Sequence, residues 1–175
     1  MRLFIAIPIP EDVSEQLVNL QQPVEGVRWV PVDQRHLTLK FVGQLDDQQR
    51  KLLIKNLKGV RFDPFDICIK GLGFFPEKGT PRVFWAGVSQ DDSLIELQKR
   101  VEKVAIEAGA EKDRFSYKPH VTLARIKNKS VGKDDLRPPG TDFVSRIFTV
   151  DRFNLFKSLL RPDGAVHEVV KRYKC

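Results

Sequence analysis

Large aliphatic residues recur at every second position from Arg2 to Ile7, as Leu3, Ile5 and Ile7, and this two-residue period predicts a strand. After Pro10, Glu11 and Asp12 the spacing lengthens to Val13, Leu17 and Leu20. Proline and acids suit the first turn of a helix, so a helix is expected there. Gln34 to Val42 alternates again, ends at Gly43, and predicts a second strand. Asp46-Asp47-Gln48-Gln49 reads as a capping box, with Leu52, Leu53 and Leu57 as the apolar stripe of a second helix. Asp66 to Lys70 predicts a strand and Gly71 to Pro81 a loop.

The second half replays this order. Arg82 to Val88 predicts a strand, and Asp92 or Ser93 caps a helix through Leu94, Leu97, Val101 and Val104 that Gly109 closes. Lys118 to Ile126 is the next strand. Lys127 to Gly140 reads as a polar loop where the first half has a helix. Phe148 to Phe156 predicts a strand, and the turn Arg161-Pro162-Asp163-Gly164 leads into a closing hairpin strand from Val166 to Tyr173. The repeat extends to residues. Arg2-Leu3-Phe4-Ile5-Ala6 is echoed by Arg82-Val83-Phe84-Trp85-Ala86, and His36-Leu37-Thr38-Leu39 by His120-Val121-Thr122-Leu123. Two of the 3 histidines in the chain open those tetrads. A duplication with pseudo-two-fold symmetry follows.

Strand alternation assigns faces. His36, Thr38 and Lys40 share one side, opposite Leu37, Leu39 and Phe41; His120 and Thr122 likewise oppose Val121, Leu123 and Arg125. In the flanking strands Arg2, Phe4 and Ala6, and their counterparts Arg82, Phe84 and Ala86, fall opposite the aliphatic face. The polar, histidine-bearing faces need water and the apolar backs need cover. The expected fold is therefore α+β. It is a single bilobal domain over residues 1–175, with two antiparallel sheets facing a central cleft and helices on the outer faces. Phe4 and Phe84 are expected to line the cleft as base-stacking surfaces, with Arg2, Arg82 and Lys40 at its rim. Strict alternation leaves Arg125 as a rim charge off the catalytic face. His167 belongs to no motif and is expected at the surface or in a turn.

Histidine is the side chain that is readily half-protonated near neutral pH. Two of them can hold opposite protonation states, one taking a proton from a nucleophile while the other gives one to a leaving oxygen. A threonine two residues along can donate its hydroxyl to a phosphate oxygen as charge builds. No Asp, Glu or Cys cluster accompanies either tetrad, so no metal and no cofactor is expected. The charge balance adds a partner: 30 Lys and Arg against 23 Asp and Glu give +7 in 175 residues, which favours a polyanion such as RNA or a nucleotide. No apolar run reaches the length of a membrane span, and the first residues are too short a run for a signal peptide. Cys68 and Cys175 are too few for a disulfide framework, so a cytoplasmic, monomeric protein is expected.

These motifs together resemble the two-histidine (2H) phosphoesterases, most closely the bacterial and archaeal RNA 2′,3′-cyclic phosphodiesterases, historically called 2′-5′ RNA ligases. The resemblance spans nearly the whole chain. It runs from Arg-x-Phe-x-Ala through His36-Leu-Thr-Leu-Lys-Phe-Val-Gly43, Gly71-Leu-Gly-Phe-Phe-Pro76 and Pro81-Arg-Val-Phe-Trp-Ala-Gly-Val88. It continues through Pro119-His-Val-Thr-Leu-Ala-Arg125 to Lys157-Ser-Leu-Leu-Arg-Pro-Asp-Gly164. It implies a phosphoric diester hydrolase that opens RNA 2′,3′-cyclic phosphate ends to 2′-phosphates, with 2′-5′ joining as the reverse reaction. It implies His36 as proton donor to the leaving ribose oxygen, His120 as the base that activates water, Thr38 and Thr122 on the phosphate, and Arg125 on the substrate. His167 stands where related proteins often carry Tyr. The alternative is a module that binds a nucleotide or RNA end in the same cleft without turnover. Intact His and Thr in both tetrads favour the enzyme.

Overall fold

The computed structural model describes residues 2–137, 141–161 and 164–175. The strands are β1 (Arg2–Pro8), β2 (Val27–Trp29), β3 (His36–Gly43), β4 (Phe65–Ile67), β5 (Ile69–Phe75), β6 (Val83–Val88), β7 (His120–Ile126), β8 (Phe148–Val150), β9 (Arg152–Arg161) and β10 (Gly164–Lys174). The α-helices are α1 (Glu11–Gln16), α2 (Asp47–Leu57), α3 (Asp92–Glu107) and the short α4 (Lys133–Leu136). Asp46 and Gln49 form the expected capping box on α2, and Asp91, one residue before the expected cap, accepts from the Leu94 N–H to start α3. Of the expected turn at 161–164, Pro162 and Asp163 lie outside the described residues.

The expected α+β architecture is present. The strands run in one hydrogen-bonded antiparallel order, β10-β9-β1-β3-β7-β6-β5 with β2 also paired to β7, which divides into two lobes, β10, β9, β1 and β3 on one side and β7, β6 and β5 on the other. The two join at a single pair, Leu37 with Val121. These are equivalent residues of the two tetrads, so the local two-fold axis passes between them. An antiparallel crossing there sets each histidine toward the threonine side of the other tetrad. β4 and β8 pair across the same axis as a separate ribbon.

The halves also exchange strands. β9 and β10, from the second half, complete the sheet of β1 and β3; β5, from the first half, completes the sheet of β6 and β7. Neither half closes its own lobe. The aliphatic faces of Leu3, Ile5, Ile7, Leu37, Leu39, Val121 and Leu123 merge with Leu53 and Leu57 of α2 and Leu94, Leu97 and Val101 of α3 into one buried core.

Three sequence expectations are corrected. Gly71 to Phe75 is strand, not loop. Its glycines suggest a turn, but Gly73 faces Trp85 of the neighbouring strand so closely that a Cβ there would sit 2.2 Å from the indole ring. Glycine is what lets the ring lie flat on the sheet. The runs Asp66–Lys70 and Phe148–Phe156 each split into two strands that leave for different sheets, breaking at Cys68 and Asp151. The expected polar loop after Ile126 contains α4.

Candidate active site

A cavity of about 560 Å³ opens where the two sheets meet, and His36, Thr38, His120 and Thr122 all line it. The tetrads place them alike. His36 Nδ1 lies 2.8 Å from the Gln34 carbonyl oxygen, and His120 Nδ1 lies 2.8 Å from the Lys118 carbonyl oxygen. A carbonyl can only accept, so each ring is assigned its hydrogen on Nδ1 and keeps Nε2 free for proton exchange. Both tethers come from the residue two positions upstream, in the same strand-entry geometry.

The approach to His36 is braced from below. Arg35 is buried; it donates through Nε to the Val30 carbonyl at 3.2 Å and through Nη1 to the Ser14 carbonyl. Ser14 Oγ donates in turn to the Val32 carbonyl at 2.9 Å, and the Tyr117 hydroxyl donates to the Thr38 carbonyl at 3.0 Å. Burial pushes the Tyr117 phenol far above its ordinary range, so it remains a donor.

Each catalytic-face strand carries a bulge at the same place. β1 pairs Ala6 with Thr38 and Ile5 with Lys40, skipping Leu39; β6 pairs Trp85 with Thr122 and Phe84 with Ala124, skipping Leu123. An extra residue reverses the faces of everything beyond it. The expectation that Lys40 joins the catalytic face is therefore wrong. Lys40 is 1% exposed and points into the protein, donating to the Glu111 carbonyl at 2.7 Å and pairing with Asp113 at 2.7 Å and Glu102 at 3.8 Å. Phe41, expected in the core, is 63% exposed and lines the cleft. In the other tetrad the same bulge turns Arg125 into the cleft, against strict alternation. Phe41 and Arg125 are structural equivalents.

The pentads correct the reading a second way. Judged by their tetrad partners, Ala6 matches Trp85 and Ile5 matches Phe84, one residue out from the sequence echo. Phe84 thus faces the core at 0% exposure, stacked on Phe74 with centroids 4.9 Å apart. Trp85 takes the catalytic face, 6.2 Å from the His120 ring. Arg82 falls on the face of Phe84; it is exposed but does not line the cleft. Phe4 keeps its expected face and lines the cleft as expected, but at 3% exposure its ring offers a base little surface to stack on. It lies against Phe156, with centroids 5.0 Å apart, and supports the His36 ring at 4.8 Å. Among the described residues, the cations that line the cleft are Arg2, Arg28 and Arg125.

His167 is also brought to the site. It stands in β10 opposite Ser158, and its ring meets His36 edge-on with centroids 5.2 Å apart. Gln34 fixes its backbone, accepting the His167 N–H at 2.8 Å. The sequence signals were the closing hairpin, which returns this strand beside β9, and the resemblance, which sets His167 where related proteins often carry Tyr.

Electrostatics set the protons. Burial pushes His36 down to about 4; its Gln34 tether works the other way, and His167, Arg125 and His120 add to the depression. His120 is lowered first by burial and then by Lys118 and Arg125, against its Lys118 carbonyl tether, and burial also lowers His167. Near pH 7 the imidazoles are therefore neutral in the protein alone. An anion between Arg125 and the two rings restores affinity for a proton. Among the described residues no group of three His, Cys, Asp or Glu side chains is placed to hold a metal ion, and no helix is long and apolar enough to cross a membrane.

Comparison with known proteins agrees with this fold. The LigT-like phosphoesterase family model matches twice, over residues 7–85 and 87–167, one match to each half. An RNA 2′,3′-cyclic phosphodiesterase of Methanocaldococcus jannaschii is 34% identical over 99% of this chain and 100% of that protein. One of Thermotoga maritima is 34% identical over 100% of this chain and 95% of that protein. Among solved structures, TT0787 of Thermus thermophilus superposes with a TM-score of 0.86 at 29% identity, covering 99% of this chain and 97% of that one. Escherichia coli LigT complexed with 3′-AMP superposes with a TM-score of 0.83 at 28% identity, with the same coverage. With its duplicated tetrads, strand-exchanged lobes and twin imidazoles in one cleft, the chain belongs to the LigT-like phosphoesterase family.

Proposed function

We propose that the chain hydrolyses RNA 2′,3′-cyclic phosphate ends to 2′-phosphates without a metal, and that residues 1–175 act as one bilobal unit. The observation that carries this reading is the pair of tethered imidazoles, each with Nε2 free, in a single cleft that also holds both threonines and Arg125. The names of the relatives from Methanocaldococcus jannaschii and Thermotoga maritima support the same substrate, and the 3′-AMP complex of the Escherichia coli protein supports a nucleotide in the cleft.

In this mechanism water gives a proton to His120 Nε2 as its oxygen attacks phosphorus. The bond from phosphorus to the ribose 3′ oxygen breaks, and that oxygen takes the proton held on His36 Nε2. The products are a 2′-phosphomonoester and a free 3′ hydroxyl, and a proton returned from His120 to His36 through solvent resets the site. Thr38 and Thr122 donate to the non-bridging oxygens and Arg125 offsets their charge. The substrate's anionic phosphate raises the depressed His36, so the acid is loaded only with its substrate present. A 5′ hydroxyl in place of water, giving its proton to His120 as the same bond to the 3′ oxygen breaks, forms a 2′-5′ linkage and leaves a free 3′ hydroxyl. The unit works as a monomer in the cytoplasm, with Cys68 and Cys175 as free thiols.

The test is an oligonucleotide ending in a 2′,3′-cyclic phosphate, incubated with the protein in excess EDTA, with the terminal phosphate then mapped. A 2′-phosphate product at an undiminished rate is expected. A 3′-phosphate product, or activity that vanishes and returns with Mn²⁺, refutes the mechanism.

A further inference from the structure

A second cavity, of about 650 Å³, lies beyond His36 along the same sheet face. It shares His36, Gln34 and His167 with the catalytic cleft and runs on over β9 and β10 to Arg152, Arg172 and Lys174. Two features bear on what it could hold. Its charge is positive: Arg35, Arg152, Arg172 and Lys174 face two acids, Glu11 and Asp33. Its wall also carries buried polar atoms that make no hydrogen bond within the protein, namely Arg35 Nη2, Asn154 Oδ1 and His167 Nδ1. Arg35 and Asn154 are each 4% exposed. A buried polar atom without a partner is costly, on the order of 1–3 kcal/mol, so three along one wall mark a surface that is completed by a polar ligand.

We propose that this cavity is a subsite for the penultimate nucleotide of an RNA chain whose cyclic end occupies the catalytic cleft. The inference rests on the function proposed above, because the direction of the chain comes from that mechanism. His36 protonates the leaving ribose oxygen, so the terminal ribose sits on the His36 side. The preceding nucleotide is bonded to that ribose through its 5′ oxygen and leaves the cleft past His36 and His167. Its phosphodiester meets Arg152, Arg172 and Lys174. Its base and 2′ hydroxyl lie along the polar wall that Gln34, Arg35 and Asn154 give this cavity. A cyclic mononucleotide ends before this cavity and reads the catalytic cleft alone.

The test compares 2′,3′-cyclic CMP with a trinucleotide ending in the same cyclic cytidine. The enzyme is the wild type and the double variant Arg152→Gln/Arg172→Gln, both changes being at exposed positions. Wild type is expected to show a lower KM for the trinucleotide. The double variant should raise the trinucleotide-to-mononucleotide ratio of KM about tenfold and flatten the salt dependence of trinucleotide KM, because fewer counterions are released. Restoring Lys at both positions should recover most of the ratio. A ratio and salt slope that do not move, in a protein that still turns over cyclic CMP, overturn the subsite and leave the function standing. Failure of wild type on both substrates overturns the function itself, and the subsite with it.

Discussion

Replacing Lys40 with Ala separates the architecture of this protein from its chemistry. Lys40 lies on the tetrad strand two residues past Thr38, yet its ammonium is turned away from the cleft onto the Glu111 carbonyl, Asp113 and Glu102. A charged donor to a buried carbonyl is worth about 2 kcal/mol. The Asp113 pair counts for about 1 kcal/mol, since that carboxylate is 45% exposed and well screened. Truncation also strips three buried methylenes, at about 0.8 kcal/mol each. Against these losses, a buried ammonium no longer has to be stripped of water, which returns several kcal/mol. The balance is a net loss of about 2–3 kcal/mol, or roughly 4–12 °C in Tm for a chain of this size. Lys40→Met keeps the stem and should lose about 1 kcal/mol or less. Urea titration gives the stability, and kcat/KM on cyclic CMP at 25 °C, where the variants are folded, should stay within about twofold of wild type. Full stability combined with a tenfold loss of activity would place Lys40 in the cleft and refute the bulge.

Other outcomes follow from the same geometry. Arg125→Gln should lower kcat/KM by about 10–100-fold with stability kept, as loss of a charge-assisted phosphate contact requires; unchanged kinetics would return Arg125 to the rim. Both imidazoles are lowered below their ordinary 6.5 in the free protein. The singly protonated pair that kcat/KM reports is therefore most populated below pH 6.5 and is lost as pH rises. The kcat profile, which reports the complex, should be displaced upward by the bound anion, and a kcat/KM optimum above pH 7.5 would contradict this. Gly73→Val should cost about 1–3 kcal/mol and change Trp85 fluorescence, because the new side chain displaces the indole; a neutral effect would mean that the ring does not lie on Gly73.

Much of the site was legible in the sequence because short repeated motifs carry it. The His-x-Thr tetrads, their common face and the duplicated order of strands and helices were all apparent. The errors of facing share one cause, the one-residue sensitivity of strands. Nothing in Leu39-Lys40-Phe41 or Leu123-Ala124-Arg125 announces a bulge. Strict alternation therefore sent Lys40 to the cleft, Phe41 to the core and Arg125 away from the cleft. The resemblance of Arg2-Leu3-Phe4-Ile5-Ala6 to Arg82-Val83-Phe84-Trp85-Ala86 is real as sequence but one residue out of structural register, so Phe84 was placed on the histidine-bearing face where Trp85 packs beside His120. The strand exchange between halves depends on long-range pairing that no local pattern encodes. His167 depended on it too, since it joins the site only because β10 folds back beside β9.

The central claim is that two imidazoles act as one proton-transfer unit, and the most direct measurement is single-turnover cleavage of cyclic CMP by His36→Ala, His120→Ala and the double variant. Each single change should lower the rate by about 10²–10⁴, and the double change should cost far less than the product of the two. Folded single variants that keep near-wild-type rates, or losses that multiply independently, would contradict it.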